Sequence, residues 1–134
     1  MSNKSITEPS LGITANVETT VSESNTAKTV GSGNLDVYAT PMLIALMEQA
    51  ACACLEGALA DGQTSVGTHI AVEHTAASPI GAKITATAVI SAINGRQIEF
   101  DVTARDTSGD IGAGTHTRVI VDAERFMTRV LSKL

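Results

Sequence analysis

Apolar and polar positions change their period along this chain, and each change marks an element. Residues 13–21 carry isoleucine, valine and threonine in a run that predicts a strand, weakened by Asn16. Residues 29–37 read as extended, interrupted by the loop-forming Gly31-Ser32-Gly33-Asn34. Then alternation stops: apart from Glu48, Gln49 and Glu56, every position from 41 to 59 is apolar or small. That pattern predicts a helix enclosed on all sides by the rest of the protein. Thr40 followed by Pro41 is its start signal, a hydroxyl to cap free N–H groups and a proline tolerated at the first helical position. Asp61-Gly62 is its stop. Four strand-like runs follow, over 65–74, 83–93, 97–106 and 111–122. Asn94-Gly95 predicts a tight hairpin between the second and third of them, and Thr107-Ser108-Gly109-Asp110 turns the third into the fourth. In the third run Ile98, Phe100, Val102 and Ala104 alternate with Gln97, Glu99, Asp101, Thr103 and Arg105, so the sheet has one buried and one wetter face. From Asp122 the pattern returns to helical period, with Ala123, Phe126, Val130 and Leu134 on one side and Arg125, Arg129 and Lys133 on the other.

One enclosed helix followed by an antiparallel meander able to wrap it is the layout of a hotdog fold. The expected class is α+β: a single domain over 1–134, an antiparallel sheet around a long central helix, a short C-terminal helix, and a loose leader over 1–10. Sequential antiparallel strands pair with their neighbours, and a ferredoxin-like sandwich would need a second long helix between strands, which the pattern lacks.

Composition narrows the function more than the fold. The chain has no tryptophan, one tyrosine (Tyr38) and two phenylalanines (Phe100 and Phe126), so small branched side chains fill its core. A formal charge of −5 disfavours a nucleic-acid partner, which needs a dense basic surface. No run reaches the roughly 18–20 apolar residues that cross a bilayer, and the first residues lack the apolar stretch of a secretory signal. No membrane association and a cytoplasmic location are therefore expected. Cys52 and Cys54 point about 200° apart around one helix and read as two small hydrophobes in a reducing compartment, with no zinc-ligand spacing near them.

Three residues ask for a chemical explanation. Glu48 lies inside the apolar helix with no lysine or arginine three or four positions away, so its partner must come from elsewhere in the fold, a second subunit or a ligand. His74 follows Val66, Thr68, Ile70 and Val72 on one face of its strand, opposite Gly67, His69, Ala71 and Glu73, and so points inward. Thr40, beyond capping, puts a hydroxyl at the positive end of a helix, where a carbonyl oxygen or oxyanion is welcome. Against each stands a structural role: a carboxylate bonded to backbone, a satisfied core histidine, a plain helix cap. Glu56 reads as solvated, His69 as a surface residue and His116 as structural or peripheral. Thr40 and Glu48 are about 12 Å apart along one helix, so a site using both is either long or assembled across two chains, the second being the expectation.

Together, Val30-Gly31-Ser32-Gly33, Ala39-Thr40-Pro41 with Glu48, Val66-Gly67-Thr68-His69 with His74-Thr75-Ala76, and Gly114-Thr115-His116-Thr117-Arg118 before Val121-Asp122 resemble the fluoroacetyl-CoA thioesterase-like family of hotdog proteins. The resemblance implies a homodimer, or a higher homo-oligomer, that hydrolyses a short or small acyl-CoA thioester. It implies a catalytic set of Thr40, Glu48 and His74, places Gly67 and Arg118 at positions of substrate contact or site geometry, and calls for no cofactor or metal, coenzyme A being part of the substrate. The aromatic lid of fluoroacetyl-selective members has no counterpart, since Tyr38 is the only aromatic residue before Thr40. A thioester needs little equipment: a base or nucleophile and a donor for the oxyanion, because the thiolate leaves unaided at a pKa near 8.5. Glu48 would serve as base for water or as nucleophile through an anhydride, and His74 would polarise the carbonyl or protonate the sulfur. The alternatives are a non-catalytic acyl-CoA binding or sensing domain, another hotdog enzyme such as an enoyl-CoA hydratase or dehydratase, and a purely structural dimer.

Overall fold

The computed structural model describes residues 8–134, so the first seven residues of the expected leader lie outside the described residues. Five strands, β1 (Thr14–Thr20), β2 (Gln63–His74), β3 (Lys83–Asn94), β4 (Gln97–Asp106) and β5 (Gly109–Asp122), form one antiparallel sheet in the order β1-β3-β4-β5-β2. The long helix α2 (Thr40–Leu55) lies in its concave face, which is the hotdog arrangement. Leu43, Leu46, Met47, Ala50, Ala51, Cys54 and Leu55 face Ile84, Ala86, Ala88, Ile90, Ile98, Phe100 and Val102. Alanines on β3 let the helix approach closely. Each large side chain buried there contributes about 2 kcal/mol relative to leaving it in water. No helix among the described residues is long and apolar enough to cross a membrane.

Four details depart from the pattern. Residues 27–30 are a single turn of helix, α1 (Ala27–Val30), rather than extended chain: Thr26 caps it through Thr29 N–H, and Gly31, at φ 88°, ends it. The β3–β4 hairpin turns on Gly95-Arg96, one residue later than Asn94-Gly95, and Asn94 pairs with Gln97. The C-terminal helix α3 (Ala123–Leu131), capped by Asp122, stops short of Leu134 and leaves Val130 and Leu131 exposed, with Ala123 and Phe126 half-buried. Most consequential, α2 is not enclosed by its own chain. Pro41, Gln49, Cys52 and Glu56 are exposed, and Ala45, Glu48 and Ala53 half-buried, along one continuous stripe. An apolar helix with one side uncovered is built to be covered by something else.

β2 bends where its register slips between Gly67 and His69, Thr68 being the extra residue. The bulge corrects the simple alternation: Gly67 and Ser65 face the helix side together with Ile70, Val72 and His74. On β5, Gly114 allows β2 to pass, since a Cβ there would overlap the Ala71 carbonyl oxygen and lie 2.7 Å from Val72 Cα.

Candidate active site

The first turn of α2 brings Thr40 to the end of β2. Ala39 occupies the cap position without a side-chain hydrogen bond, and Thr40 is the first helical residue, which overturns the capping role expected of Thr40. A capping hydroxyl must fold back over its own first turn; this one turns outward and lies 2.8 Å from His74 Nδ1. His74 is fixed by the pairing of β2 with β5, opposite Gly112. Its other ring nitrogen, Nε2, is buried and has no hydrogen-bond partner among the described residues. Both side chains line an open cleft of about 350 Å³ between α1, the 32–38 segment and the loop after β2. Tyr38 forms part of that wall. It is buried, its hydroxyl donates to the Met42 carbonyl at 3.1 Å, and burial pushes its phenol up to about 12. The rim carries Leu35, two-thirds exposed.

Glu48 is two turns further along α2, on the half-open stripe, with 41% of its side chain exposed. Burial by its own chain, the expectation for this acid, is therefore only partial. Its Oε2 lies 3.5 Å from Arg118 Nη1 and 3.7 Å from His116 Nε2. The carboxylate crosses β2 at Gly67, where an added Cβ would lie 2.8 Å from Oε2, 3.2 Å from His116 Cε1 and 3.3 Å from Arg118 Nη1. Arg118 is held from three sides: Nε donates to Ser65 Oγ at 2.8 Å, Nη2 to the Ser65 carbonyl at 3.1 Å, and Nη1 reaches His116 Nε2 at 3.1 Å.

His116, read from sequence as structural or peripheral, is fully buried at the centre of this cluster, its ring 6.0 Å from that of its cross-strand neighbour Phe100. Its Nδ1 is 2.7 Å from the His69 carbonyl, an acceptor, so the proton is on Nδ1. Nε2 then carries the lone pair that accepts from Arg118, and His116 is neutral. Its approach to Glu48 is not an ion pair; the cation facing Glu48 is Arg118. Burial lowers the pKa of His116 and of His74 below the ordinary 6.5, and the charge of Arg118 adds to the lowering at His116.

Those shifts carry a sign. The unfolded chain takes up protons near pH 6.5, whereas the folded chain resists until lower pH. The histidine contribution is complete above about pH 6.5 and is lost as pH falls through the gap between the two states. Thermal midpoints measured from about pH 8 to pH 5 should fall on the acid side, and His116→Gln should flatten part of the slope. Identical slopes in the two proteins would remove His116 from the account.

Within one chain, then, the predicted residues form two groups. Thr40 and His74 are together; Glu48, Gly67 and Arg118 are together, with His116 and Ser65 added; eight residues of helix, about 12 Å, separate Thr40 from Glu48.

The fluoroacetyl-CoA-specific thioesterase family model (FlK) matches residues 21–124. The chain is 39% identical over 98 residues to the fluoroacetyl-CoA thioesterase of Streptantibioticus cattleyicolor, an alignment covering 73% of this chain and 70% of that one. Among solved structures, that of the fluoroacetyl-CoA thioesterase FlK superposes with a TM-score of 0.88 at 31% identity, covering 93% of this chain and 97% of its own. A Thermus thermophilus hypothetical protein of the thioesterase superfamily follows at a TM-score of 0.84 and 25% identity, covering 92% and 93%.

Proposed function

The chain belongs to the fluoroacetyl-CoA-specific thioesterase family, and from that premise we propose that it is an acyl-CoA thioesterase acting on short acyl groups through Thr40, Glu48 and His74. The observation that carries this reading is the Thr40 hydroxyl 2.8 Å from His74 Nδ1 on the wall of an open cleft, with the other ring nitrogen, Nε2, buried and unpartnered among the described residues. A buried polar atom left unsatisfied costs about 1–3 kcal/mol unless a ligand completes it.

The thioester carbonyl lies against Thr40 and His74. Glu48 takes a proton from water as the water oxygen bonds to the carbonyl carbon. The carbonyl electrons move to oxygen, where Thr40, His74 and the positive end of α2 stabilise them. Collapse breaks the C–S bond, releasing acid and a coenzyme A thiolate that takes the proton. Only water is consumed, so the reaction calls for no cofactor. Among the described residues, Arg118 and His116 both approach Glu48 at Oε2, leaving Oε1 for water. Arg118 orients the carboxylate, and His116 acts through Arg118 as a positioning residue.

Because one chain separates Glu48 from Thr40 and His74, the working unit in this reading is a homodimer in which Glu48 of one protomer faces Thr40 and His74 of the other. The uncovered stripe of α2 supports it. Free Cys52 and Cys54 suit the reducing cytoplasm. The rim residue Leu35 and the locked Tyr38 leave the acyl cleft without an aromatic lid, which favours several short acyl groups over fluoroacetyl alone.

Release of free thiol from acetyl-, propionyl-, butyryl- and fluoroacetyl-CoA by the purified protein tests the proposal. Turnover of several with no strong preference for the fluorinated substrate is expected; binding without release would make the protein an acyl-CoA sensor. Gly67→Ala, which forces the Glu48 carboxylate off its position, should lower kcat about tenfold with an unchanged thermal midpoint. Unaltered kcat would mean the position of the carboxylate over β2 does not matter.

A further inference from the structure

A second cleft, of about 160 Å³, lies where α3 leaves the sheet, between the helix, the end of β5 and the tip of the β3–β4 hairpin. Arg96, Arg125 and Arg129 line it with Phe126. Three of the chain's five arginines thus converge on one small hollow in a protein of net charge −5. None of them lies within ion-pair distance of a carboxylate among the described residues. The one acid in the cleft, Asp122, is occupied: its Oδ1 accepts from Arg125 N–H at 2.9 Å as the cap of α3.

The convergence is built by the backbone. Arg125 and Arg129 are four apart and share a side of α3. Arg96 sits at the hairpin tip, tied to β5 by Ile120 N–H donating to its carbonyl at 2.9 Å. Like charges held together without counter-ions repel, and an anionic ligand relieves that repulsion. The half-buried Phe126 ring supplies an apolar face on which a base can stack.

We propose that this cleft holds the phosphorylated adenosine end of coenzyme A. The inference rests on the thioesterase reading, and it names which part of the chain grips the carrier. Asp122 is four residues along β5 from Arg118, about 14 Å of strand, a span an extended pantetheine arm covers. Phosphates and adenine at α3 would therefore leave the thioester at the Glu48 cluster. A hollow of this size fits a phosphate and the rim of a purine; an acidic carrier protein would need a broad basic face instead.

The test uses Arg125→Gln/Arg129→Gln, both on the exposed side of α3, in the full chain. Steady-state thiol release is measured with butyryl-CoA and with butyryl-N-acetylcysteamine, which lacks the nucleotide. KM for the CoA ester should rise about tenfold or more, since two charge-assisted contacts are lost, with kcat and all constants for the short ester unchanged. Adenosine 3′,5′-bisphosphate should bind the wild type in calorimetry and bind the variant at least about tenfold more weakly. Equal KM for butyryl-CoA, or equal bisphosphate affinity, would overturn the assignment. A variant impaired only on butyryl-acyl-carrier protein overturns it in favour of a protein partner. Should the wild type turn over neither ester, the hydrolase reading fails, and the calorimetry still decides the subsite.

Discussion

Glu48→Gln is expected to reduce thioester hydrolysis about a thousandfold, the middle of the range for losing a general base, while the folded structure persists. Glutamine has the same shape and can still accept from Arg118 through its carbonyl oxygen. What it loses is the capacity to take a proton from water. Arg118 does not depend on the acid for its position: Ser65 Oγ, the Ser65 carbonyl and His116 Nε2 hold it at 2.8, 3.1 and 3.1 Å, against 3.5 Å to Glu48. The half-exposed carboxylate also contributes little to stability, because solvent screens its pairing. Thiol-release kinetics beside a thermal melt separate the two quantities. A loss of about tenfold or less would remove the acid from the chemical step; a lowered melting midpoint in step with the activity would make Glu48 a structural residue.

The same geometry explains what could be read in advance. The strand–helix–four-strand order was legible because alternation, the apolar run 41–59 and the turn residues each report local backbone preference. Boundaries slipped where a local signal competed with a contact made later in the chain. Thr40 looks like a cap, but His74, 34 residues away, takes its hydroxyl. The bulge at Thr68 inverted the expected placement of Gly67, and no residue type announces a bulge of this kind. The role of His116 is hidden in the sequence for a related reason. Its strand-mates Gly114 and Arg118 are visible in sequence, but the register that sets Arg118 opposite Gly67 is not. A histidine and an arginine two apart on an inward strand face were the available signal, since neither is buried without a partner.

Glu48 shows the other kind of limit. Its lack of a helical partner correctly pointed to a distant one, found in Arg118. The apolar character of α2 all round predicts enclosure by the rest of the protein, whereas periodicity reports only that surfaces are covered, not by which molecule.

That distinction yields the second large effect. Glu48→Gln and His74→Ala homodimers should each be nearly inactive, yet a mixture allowed to exchange subunits should regain about a quarter of wild-type activity. Random pairing makes half the dimers hybrids. In a hybrid, one site combines the glutamine with the alanine and is doubly dead. The other combines the intact Glu48 with the intact His74 and is complete. Half the dimers with one working site of two is a quarter of the total. No arrangement within one protomer produces this recovery, because each chain retains its own defect. The helix rise that keeps Thr40 and Glu48 about 12 Å apart in one chain thus becomes a measurable stoichiometry. Hybrids isolated with two affinity tags, and shown by mass to contain both chains, should have half the specific activity of wild type. If such hybrids stay as inactive as their parents, Glu48 and His74 do not share a thioester across the subunit boundary.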